Sequence, residues 1–344
     1  MRTEKIIESI NVKAKKIKRP LRFMELCGTH SESIAKNAIK NVLPKNIKLT
    51  SGPGCPVCVT DQEDIDVIIG LALSGLPIAC YGDAVNVPGN NGSLEVARQK
   101  GADVSIVYEV TEALELKKKK PNLIFWGLGF ETTTAPSAWA VRQGLLVFSS
   151  HKLFPPAMEM LLKNKKIKVD GFINPGHVSA IIGTQVYEKF HIPQVVAGFS
   201  PVDILKAIDM LLAQIIEKKA RVQNEYSRLV KKEGNRKALS LIEDVFIVSD
   251  AKWRGLGEIK KSGLKLNKKY KKQDAEFVYG DLINKIKKEI KPMKNSCRCG
   301  EVLQGLIESK DCSLFRKNCT PESPKGACMV SREGACNINY NYAK

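Results

Sequence analysis

Residues 47–75, IKLTSGPGCPVCVTDQEDIDVIIGLALSG, decide the fold class. The apolar run at 47–50 predicts a buried strand, and the Gly- and Pro-containing loop after it leads into a helical pattern. Thr60 and Glu63 have the spacing of a capping box, and Gly75 follows the last apolar turn. The stretch predicts a strand–helix unit with a Cys-x-x-Cys motif at the junction.

The same alternation of strand and helix patterns continues along most of the chain and ends in a long amphipathic helix predicted over residues 201–219. This pattern is typical of parallel sheets covered by helices, so the predicted fold class is α/β. Eight strands are too many for one small sheet, which favours two domains. The strands are predicted at residues 23–26, 47–50, 78–81, 104–107, 123–126, 145–148, 171–173 and 194–196.

A lysine-rich run that ends at Pro121 is the predicted boundary between the two α/β domains. The first domain is then residues 1–119 and the second is residues 120–243. Residues 244–344 are more irregular, more basic and finally cysteine-rich, which predicts a third region held together by something other than a large core.

Charge and hydropathy exclude several functional classes. The formal net charge is +19, but the lysines are spread along the whole chain and aromatic residues make up only 6%. This favours a solvated lysine surface over nucleic-acid binding. No apolar run approaches the roughly 18–20 residues of a membrane span, and the N-terminus has no signal-peptide pattern. We therefore expect a cytoplasmic protein with no membrane or nucleic-acid partner.

The ten cysteines fall into two groups. Cys27, Cys55, Cys58 and Cys80 lie in the first quarter of the chain, and six more lie between residues 297 and 336. A reducing cytoplasm disfavours structural disulfides, so metal binding or redox chemistry is the better interpretation. Cys80 is the exception, because its position inside an apolar strand predicts a core residue.

Two cysteine motifs follow predicted strands, at the sheet edge where α/β proteins bind ligands. In Cys27-Gly28-Thr29-His30, a helix N-terminus and an imidazole would lower the pKa of the thiol and make it a nucleophile or metal ligand; a buried structural cysteine is the alternative. Cys55 and Cys58 have the spacing of a dithiol redox centre, with half of a zinc site or an inert pair as alternatives.

Two further motifs also follow strands. Glu131 lies in GLGFETTTAP, where glycines allow close backbone approach and a carboxylate beside hydroxyls can position a polar group. A capped helix N-terminus explains the threonines equally well. His177 lies in NPGHVS, where a structural histidine is the alternative to a functional one.

The C-terminal cysteines can supply four thiolates to a metal centre. Their spacing matches neither the ferredoxin run nor a standard zinc finger, so it leaves a [4Fe–4S] cluster and tetrahedral zinc both open. The six candidates are Cys297, Cys299, Cys312, Cys319, Cys328 and Cys336.

Taken in order, the motifs CGTH, GPGCPVCVT, GFETTTAP, NPGHVS, CRCGEVLQG, C-x6-CTPE and ACMVSREGAC closely resemble the HypD family of hydrogenase maturation proteins, across almost the entire chain. The resemblance implies two α/β domains facing each other over a cleft, with a C-terminal [4Fe–4S] cluster beside a redox-active cysteine pair. It favours iron–sulfur over zinc. Arg316 departs from the family pattern, which has a small residue in its LFG segment.

The resemblance also implies residue roles. Cys27, with His30 beside it, matches the cysteine that holds iron together with the partner HypC, and Cys55 and Cys58 match the redox pair. Glu131 and His177 match motifs that line the cleft. The cluster ligands implied are Cys312, Cys319, Cys328 and Cys336, with Cys297 and Cys299 as reserve candidates.

The function implied is that of a scaffold more than of a conventional enzyme. In a complex with HypC and HypE, iron would receive cyanide from HypE as well as carbonyl, and electrons would pass from the cluster through the Cys55/Cys58 pair. Two other functions are kept open. One is a free-standing iron–sulfur disulfide reductase, in which Cys27 is dispensable; the other is a zinc-binding nucleic-acid module, favoured only by the charge.

Overall fold

The computed structural model describes residues 3–291 and 296–342. The strands are β1 (Leu21–Glu25), β2 (Ile47–Ser51), β3 (Ile78–Tyr81), β4 (Val104–Val107), β5 (Ile124–Gly129), β6 (Leu146–His151), β7 (Gly171–Pro175), β8 (Gln194–Ala197), β9 (Val222–Asn224), β10 (Phe246–Trp253) and β11 (Gly257–Leu266). The helices are α1 (Thr3–Lys16), α2 (Gly28–Lys36), α3 (Pro56–Val59), α4 (Gln62–Leu73), α5 (Leu94–Gln99), α6 (Val110–Lys119), α7 (Glu131–Arg142), α8 (Phe154–Lys163), α9 (Gly176–Ile182), α10 (Pro201–Glu217), α11 (Arg236–Val245), α12 (Ala275–Val278), α13 (Gly280–Glu289), α14 (Cys299–Leu303), α15 (Ala327–Val330) and α16 (Ala335–Tyr342).

The strands form two parallel sheets and one antiparallel hairpin. The first sheet has the order β2-β1-β7-β8-β9 and the second has the order β4-β3-β5-β6, and every neighbouring pair in them is parallel. The predicted α/β fold class is therefore confirmed. All eight predicted strands are present as β1–β8, with ends that differ by at most three residues.

The two sheets do not divide the chain at residue 119. The chain leaves the first sheet after β2, builds the whole second sheet from β3–β6, and returns to the first sheet with β7. The lysine run that suggested the boundary forms the last turn of α6. Lysines there interact favourably with the carbonyl end of a helix, so the run marks a helix end inside the second sheet and not a linker.

Both faces of each sheet are buried, which explains why the strands are continuously apolar. In the second sheet Ala79 and Phe125 face one apolar cluster with residues of α6, α7 and α11. Cys80 and Trp126 point to the opposite face, into a larger cluster that also includes residues of the first sheet and of the C-terminal region. Cys80 is fully buried, as predicted for a core residue.

Two predicted helices have the expected starts, with one correction. Helix α10 begins at Pro201, and Ser200 and Asp203 form its capping box. Helix α4 is present too, but Asp61 caps it by accepting a hydrogen bond from the backbone N–H of Glu63. The predicted cap, Thr60, instead donates its hydroxyl to the carbonyl oxygen of Pro56, at 2.9 Å.

The hairpin β10–β11 was not predicted from the sequence. It packs against β6 and α8, at the edge of the second sheet. Trp253 at the end of β10 forms an antiparallel bridge with Thr60, just after α3. The hairpin therefore links the second sheet to the segment with the Cys-x-x-Cys motif. Within the described part of the chain, no helix has both the length and the apolar character needed to cross a membrane.

Candidate functional site

The four sequence motifs lie at the carboxyl ends of strands from both sheets. The segments with Cys27, with Cys55 and Cys58, and with His177 follow β1, β2 and β7 of the first sheet, whereas Glu131 follows β5 of the second. Helix α3 packs against β5, and α7 packs against α9. Elements of both sheets therefore surround these motifs.

The loops with Cys27 and with Cys55 are in direct contact. The backbone N–H of Gly28 donates to the carbonyl oxygen of Gly54, at 3.4 Å. A side chain at residue 54 would overlap the backbone of Cys27 and Leu26, so only glycine allows the two loops to approach this closely.

Cys27 is a buried thiol among carboxylates. Its backbone N–H donates to Oε2 of Glu25, at 3.0 Å. Burial raises the pKa of Cys27 to about 12, the charges of Glu333 and Glu25 add to this, and the backbone N–H groups of His30 and Thr29 oppose it. The predicted lowering of the pKa is therefore wrong for the protein alone. A bound cation would supply the missing positive charge and favour the thiolate.

The ring of His30 lies against the end of β8. Its Nε2 lies 3.0 Å from the carbonyl oxygen of Gly198 and 3.2 Å from that of Ala197. Because carbonyl oxygens only accept, Nε2 holds the ring proton and Nδ1 is left as an acceptor, buried and without a hydrogen-bond partner. Burial lowers the pKa of His30 to about 4, so the ring is neutral at pH 7.

Phe199 joins the first and fourth motifs. The centroid of its ring lies 4.9 Å from that of His30 and 4.1 Å from that of His177. His177 is exposed, and partial burial of its ring lowers its pKa. The structure thus brings both histidines against one aromatic ring, with only His30 enclosed.

Glu131 is buried at the first turn of α7. Its Oε1 accepts a hydrogen bond from the backbone N–H of Phe154, at 3.0 Å, and its Oε2 has no partner. Burial raises the pKa of Glu131 to about 7. The hydroxyls of Thr133 and Thr134 donate to the carbonyl oxygen of Phe130, so these threonines hold the helix start and Glu131 is the group left to act.

Cys55 and Cys58 form a disulfide across α3. Cys55 is the N-cap residue, and its sulfur accepts a hydrogen bond from the backbone N–H of Cys58, at 3.2 Å. Both residues are buried, and α3 packs against α15, which contains Cys328. The predicted redox pair is therefore assembled as a pair, and it lies next to the C-terminal cysteines.

All six C-terminal cysteines line one small pocket. They are Cys297, Cys299, Cys312, Cys319, Cys328 and Cys336. The thiol of Cys299 contacts those of Cys297 and Cys328, and the Cys328 thiol also contacts that of Cys336. Within residues 3–291 and 296–342, no three His, Cys, Asp or Glu side chains are positioned to hold one metal ion.

The pocket nevertheless has the donors that an iron–sulfur cluster requires, since four thiolates hold a [4Fe–4S] group and six thiols are present. Its other lining residues include Val302, Leu314 and Phe315, which would keep water from the cluster. The thiols in mutual contact share only Cys328 and Cys336 with the predicted ligand set. That ligand set stays a prediction.

Two acidic residues beside Cys27 were not singled out from the sequence. Glu25 accepts hydrogen bonds from the Cys27 backbone and the Ser31 hydroxyl, and Glu333 accepts one from the Thr29 hydroxyl, at 2.9 Å. The sequence did offer a signal for Glu25, because it is a carboxylate inside the apolar run before CGTH. Glu333 comes from the distant segment between Cys328 and Cys336, and only the tertiary fold brings it here.

The chain as a whole is similar to known proteins. A family model described as HypD, hydrogenase formation hypA family, matches residues 1–343. The chain belongs to the HypD family of hydrogenase maturation factors. This HypD-family chain is similar to the hydrogenase maturation factor HypD of Escherichia coli K12, with 41% identity over 94% of the chain and 90% of that protein. It is also 40% identical to HypD of Rhodobacter capsulatus, over 94% of the chain and 90% of that protein. It is 38% identical to HypD of Cupriavidus necator, over 94% of the chain and 89% of that protein.

Proposed function

We propose that this HypD-family protein is a redox scaffold that binds iron at Cys27, together with HypC, while cyanide from HypE and a carbonyl ligand are attached. The proposal includes a [4Fe–4S] cluster in the six-cysteine pocket and a cytoplasmic location. The iron that receives the ligands is the cargo of the scaffold, distinct from the iron of the cluster.

One observation supports this function above others: the Cys55–Cys58 disulfide lies between the Cys27 loop and the cysteine pocket. Gly54 contacts the backbone of Cys27 on one side, and α3 packs against α15 on the other. A dithiol in this position can act on a group held at Cys27. Soft thiolate ligands also suit a low-spin iron that carries strong-field cyanide and carbonyl.

The dithiol form of the pair supplies what cyanide release requires. When a thiocyanate R–S–C≡N on HypE meets the two thiols, its carbon–sulfur bond breaks and the Cys55–Cys58 disulfide forms. The Cys55/Cys58 pair gives two electrons and two protons. One proton stays on the HypE sulfur as a thiol, and the other is released when cyanide binds iron. Reduction of the disulfide by two electrons and two protons then restores the dithiol.

Buried polar atoms without partners can serve this chemistry. Nδ1 of His30 is an acceptor. Burial raises the pKa of Glu131 to about 7, so its carboxyl group can donate a proton near neutral pH. Oδ1 of Asn174, in the fourth motif, is a third buried atom without a partner. Leaving such atoms unpaired costs about 1–3 kcal/mol each, which is consistent with a site that receives a polar ligand.

The C-terminal pocket would hold the cluster through four of its thiolates. When bound, a [4Fe–4S] cluster supplies electrons singly at a potential set by its surroundings. Packing of α15 on α3 places the pocket next to the pair that must be reduced.

The test is complementation of a bacterial strain that lacks its own HypD, with hydrogenase activity as the readout. We expect Cys27→Ala and Cys58→Ala each to reduce activity more than a hundredfold. Cys80→Ala, a buried cysteine of β3 outside the site, is the matched control and should retain activity. The wild-type complex with HypC should show infrared bands of iron-bound cyanide and carbonyl, and the Cys27→Ala complex should show none.

Two results would contradict parts of the proposal. If Cys27→Ala matured hydrogenase normally while Cys58→Ala did not, the protein would be a disulfide reductase and not a scaffold for iron. If anaerobically purified protein contained zinc and no iron, the cluster would be ruled out even where the Cys27 results held.

A further inference from the structure

Phe199, just after β8, contacts side chains from three other strand ends of the first sheet. The centroid of its ring lies 4.9 Å from that of His30 and 4.1 Å from that of His177, with angles of 32° and 37° between the ring planes. The ring of Tyr226, from the loop after β9, makes a T-shaped contact with it, with centroids 5.9 Å apart. One phenylalanine therefore packs against the elements that follow β1, β7 and β9.

The three aromatic side chains of this group that belong to or touch the motifs differ in exposure. His177 is exposed, Phe199 is half-buried and His30 is fully buried. Nε2 of His30 donates to the carbonyl oxygens of residues 197 and 198, directly before Phe199, whereas its buried Nδ1 has no hydrogen-bond partner among the described residues. The same short segment thus holds the imidazole by two backbone carbonyls and by one ring.

The segment after β8 is itself held in place. Tyr226 lies against Gly176 and Gly198, and a side chain on either glycine would overlap its ring. The guanidinium of Arg228 lies over the Tyr226 ring, 4.3 Å from its centroid, and donates to the carboxylate of Asp203 at 2.6 and 3.3 Å. Asp203 belongs to the capping box of α10. These contacts fix the segment to the start of a long helix, which is the support that a positioning side chain requires.

We propose that Phe199 is a positioning residue of the Cys27 site: its ring holds the His30 imidazole on the end of β8 and keeps water from it, so that Nδ1 can accept a hydrogen bond from a group bound there. An aromatic ring suits this role because it presents a broad apolar face to a neighbouring ring. A hydrogen bond to a buried acceptor is also stronger where water is excluded. The inference rests on the proposed function for the bound group, whereas the enclosure of His30 can be measured without it.

The experiment is acylation of histidines by diethyl pyrocarbonate in the full-length protein, followed at each site by mass spectrometry. The reagent acylates a neutral imidazole at the nitrogen that has a free lone pair, provided that it can reach that nitrogen. His177 and His191 are exposed and should react fast, whereas His30 and His151 are buried and should react slowly. In Phe199→Ala we expect His30 to react roughly tenfold faster and His151 to stay slow, because local protection depends on the contacts that cover a group.

A second readout is the tautomer of His30, measured by nitrogen-15 NMR of labelled histidines. The wild type should show the ring proton only on Nε2, and Phe199→Ala should show both tautomers, a change that loss of packing elsewhere would not cause. Phe199→Tyr retains the ring and should keep the wild-type rate and tautomer. Phe277→Ala, which removes an exposed phenylalanine of α12, is the matched control and should leave both readouts unchanged.

The outcomes distinguish this inference from the proposed function. If His30 in Phe199→Ala kept the wild-type rate and a single tautomer, the role of Phe199 would be refuted, whatever the iron site does. If His151 also became reactive, the variant would be unfolded, and Phe199→Leu, which keeps apolar volume without the ring, would decide by the same two readouts. If the wild-type complex with HypC showed no bands of iron-bound cyanide and carbonyl, the proposed function would fail, although His30 could still be enclosed by Phe199.

Discussion

The Cys27 loop and the six-cysteine pocket are built in different ways. The Cys27 loop lies between a parallel strand and a nine-residue helix, and its backbone is hydrogen-bonded to the neighbouring loops. The pocket lies among α14, α15 and α16, which have five, four and eight residues. Helices this short are not stable on their own. Strand pairing and neighbouring loops position the first region, the Cys27 loop, whereas we expect the second region, the pocket, to depend on its thiol contacts and on the proposed cluster.

The largest effect that tests this difference is expected from Cys328→Ala. Cys328 is buried and contacts two other thiols, so its removal should eliminate essentially all bound iron and expose residues 296–342 to protease. The circular dichroism of the sheets should persist. Iron analysis and limited proteolysis with mass spectrometry measure both effects.

Cys80→Ala is the control for Cys328→Ala, because it removes an equally buried thiol from β3. It should retain all iron and lose only packing energy, roughly 1 kcal/mol. Retention of iron by Cys328→Ala would show that the second region does not depend on this thiol. The same iron assay on Cys299→Ala and Cys319→Ala decides between the thiols in contact and the ligand set predicted from the family.

The next largest effect is a pH dependence in the first region, at Glu131. Burial raises its pKa from 4.5 to about 7, so it stabilises the fold fully below pH 4.5 and loses that contribution as the pH rises through about 7. The change corresponds to about 3 kcal/mol. Glu131→Gln cannot ionise, so it should gain about this much stability relative to the wild type between pH 4.5 and pH 8 in urea unfolding.

Glu115→Gln, which removes an exposed carboxylate of α6, controls for the loss of a negative charge. Its stability relative to the wild type should stay nearly constant over the same pH range. If Glu131→Gln behaved like this control, Glu131 would be ionised in the folded protein throughout, and it could not donate a proton near neutral pH.

The two regions also differ in how far the sequence predicts them. Strands such as β3 and β4 were predicted to the residue, because parallel strands buried on both faces leave a distinct apolar run. The motifs after β1, β2, β5 and β7 were recognised as strand-end loops for the same reason. The assignment of strands to sheets was not predicted, because no local sequence pattern shows that a chain leaves one sheet and later returns to it. Hairpin β10–β11 has exposed positions such as Ile247 and Val248, and its pattern was too irregular to recognise.

The electrostatics of the site depended on tertiary contacts that spacing cannot show. Cys27 precedes a helix, which predicts a lowered pKa, but burial and the charges of Glu333 and Glu25 raise it. Glu333 is more than three hundred positions away in the sequence. The sequence therefore identified the chemical groups but not the charges around them.

A smaller effect tests the packing of the first region. Gly54→Ala would place a methyl group against the backbone of Cys27, where neither strand end can easily move. Overpacking of this kind costs about 1–3 kcal/mol in the free energy of unfolding. Gly280→Ala adds a methyl group at the open start of α13, where that group meets no other residue within 4 Å. This control variant should be neutral or slightly stabilising. Equal stability of both variants in urea would show that the two loops can separate freely.

The smallest effect concerns the second region, at Arg316. Arg316 has a φ of 59°, a left-handed conformation that favours glycine, and its Nη2 donates to the carbonyl oxygens of Asn339 and Tyr340, at 3.3 and 2.9 Å. Arg316→Gly and Arg316→Ala lose the same side-chain contacts, so their difference isolates the backbone. Because the left-handed conformation costs a residue with a Cβ about 1–2 kcal/mol, the glycine variant should be more stable in urea by that amount. Equal stabilities would show that this part of the pocket relaxes to another backbone conformation, as expected of a region that its thiols hold together more than its helices do.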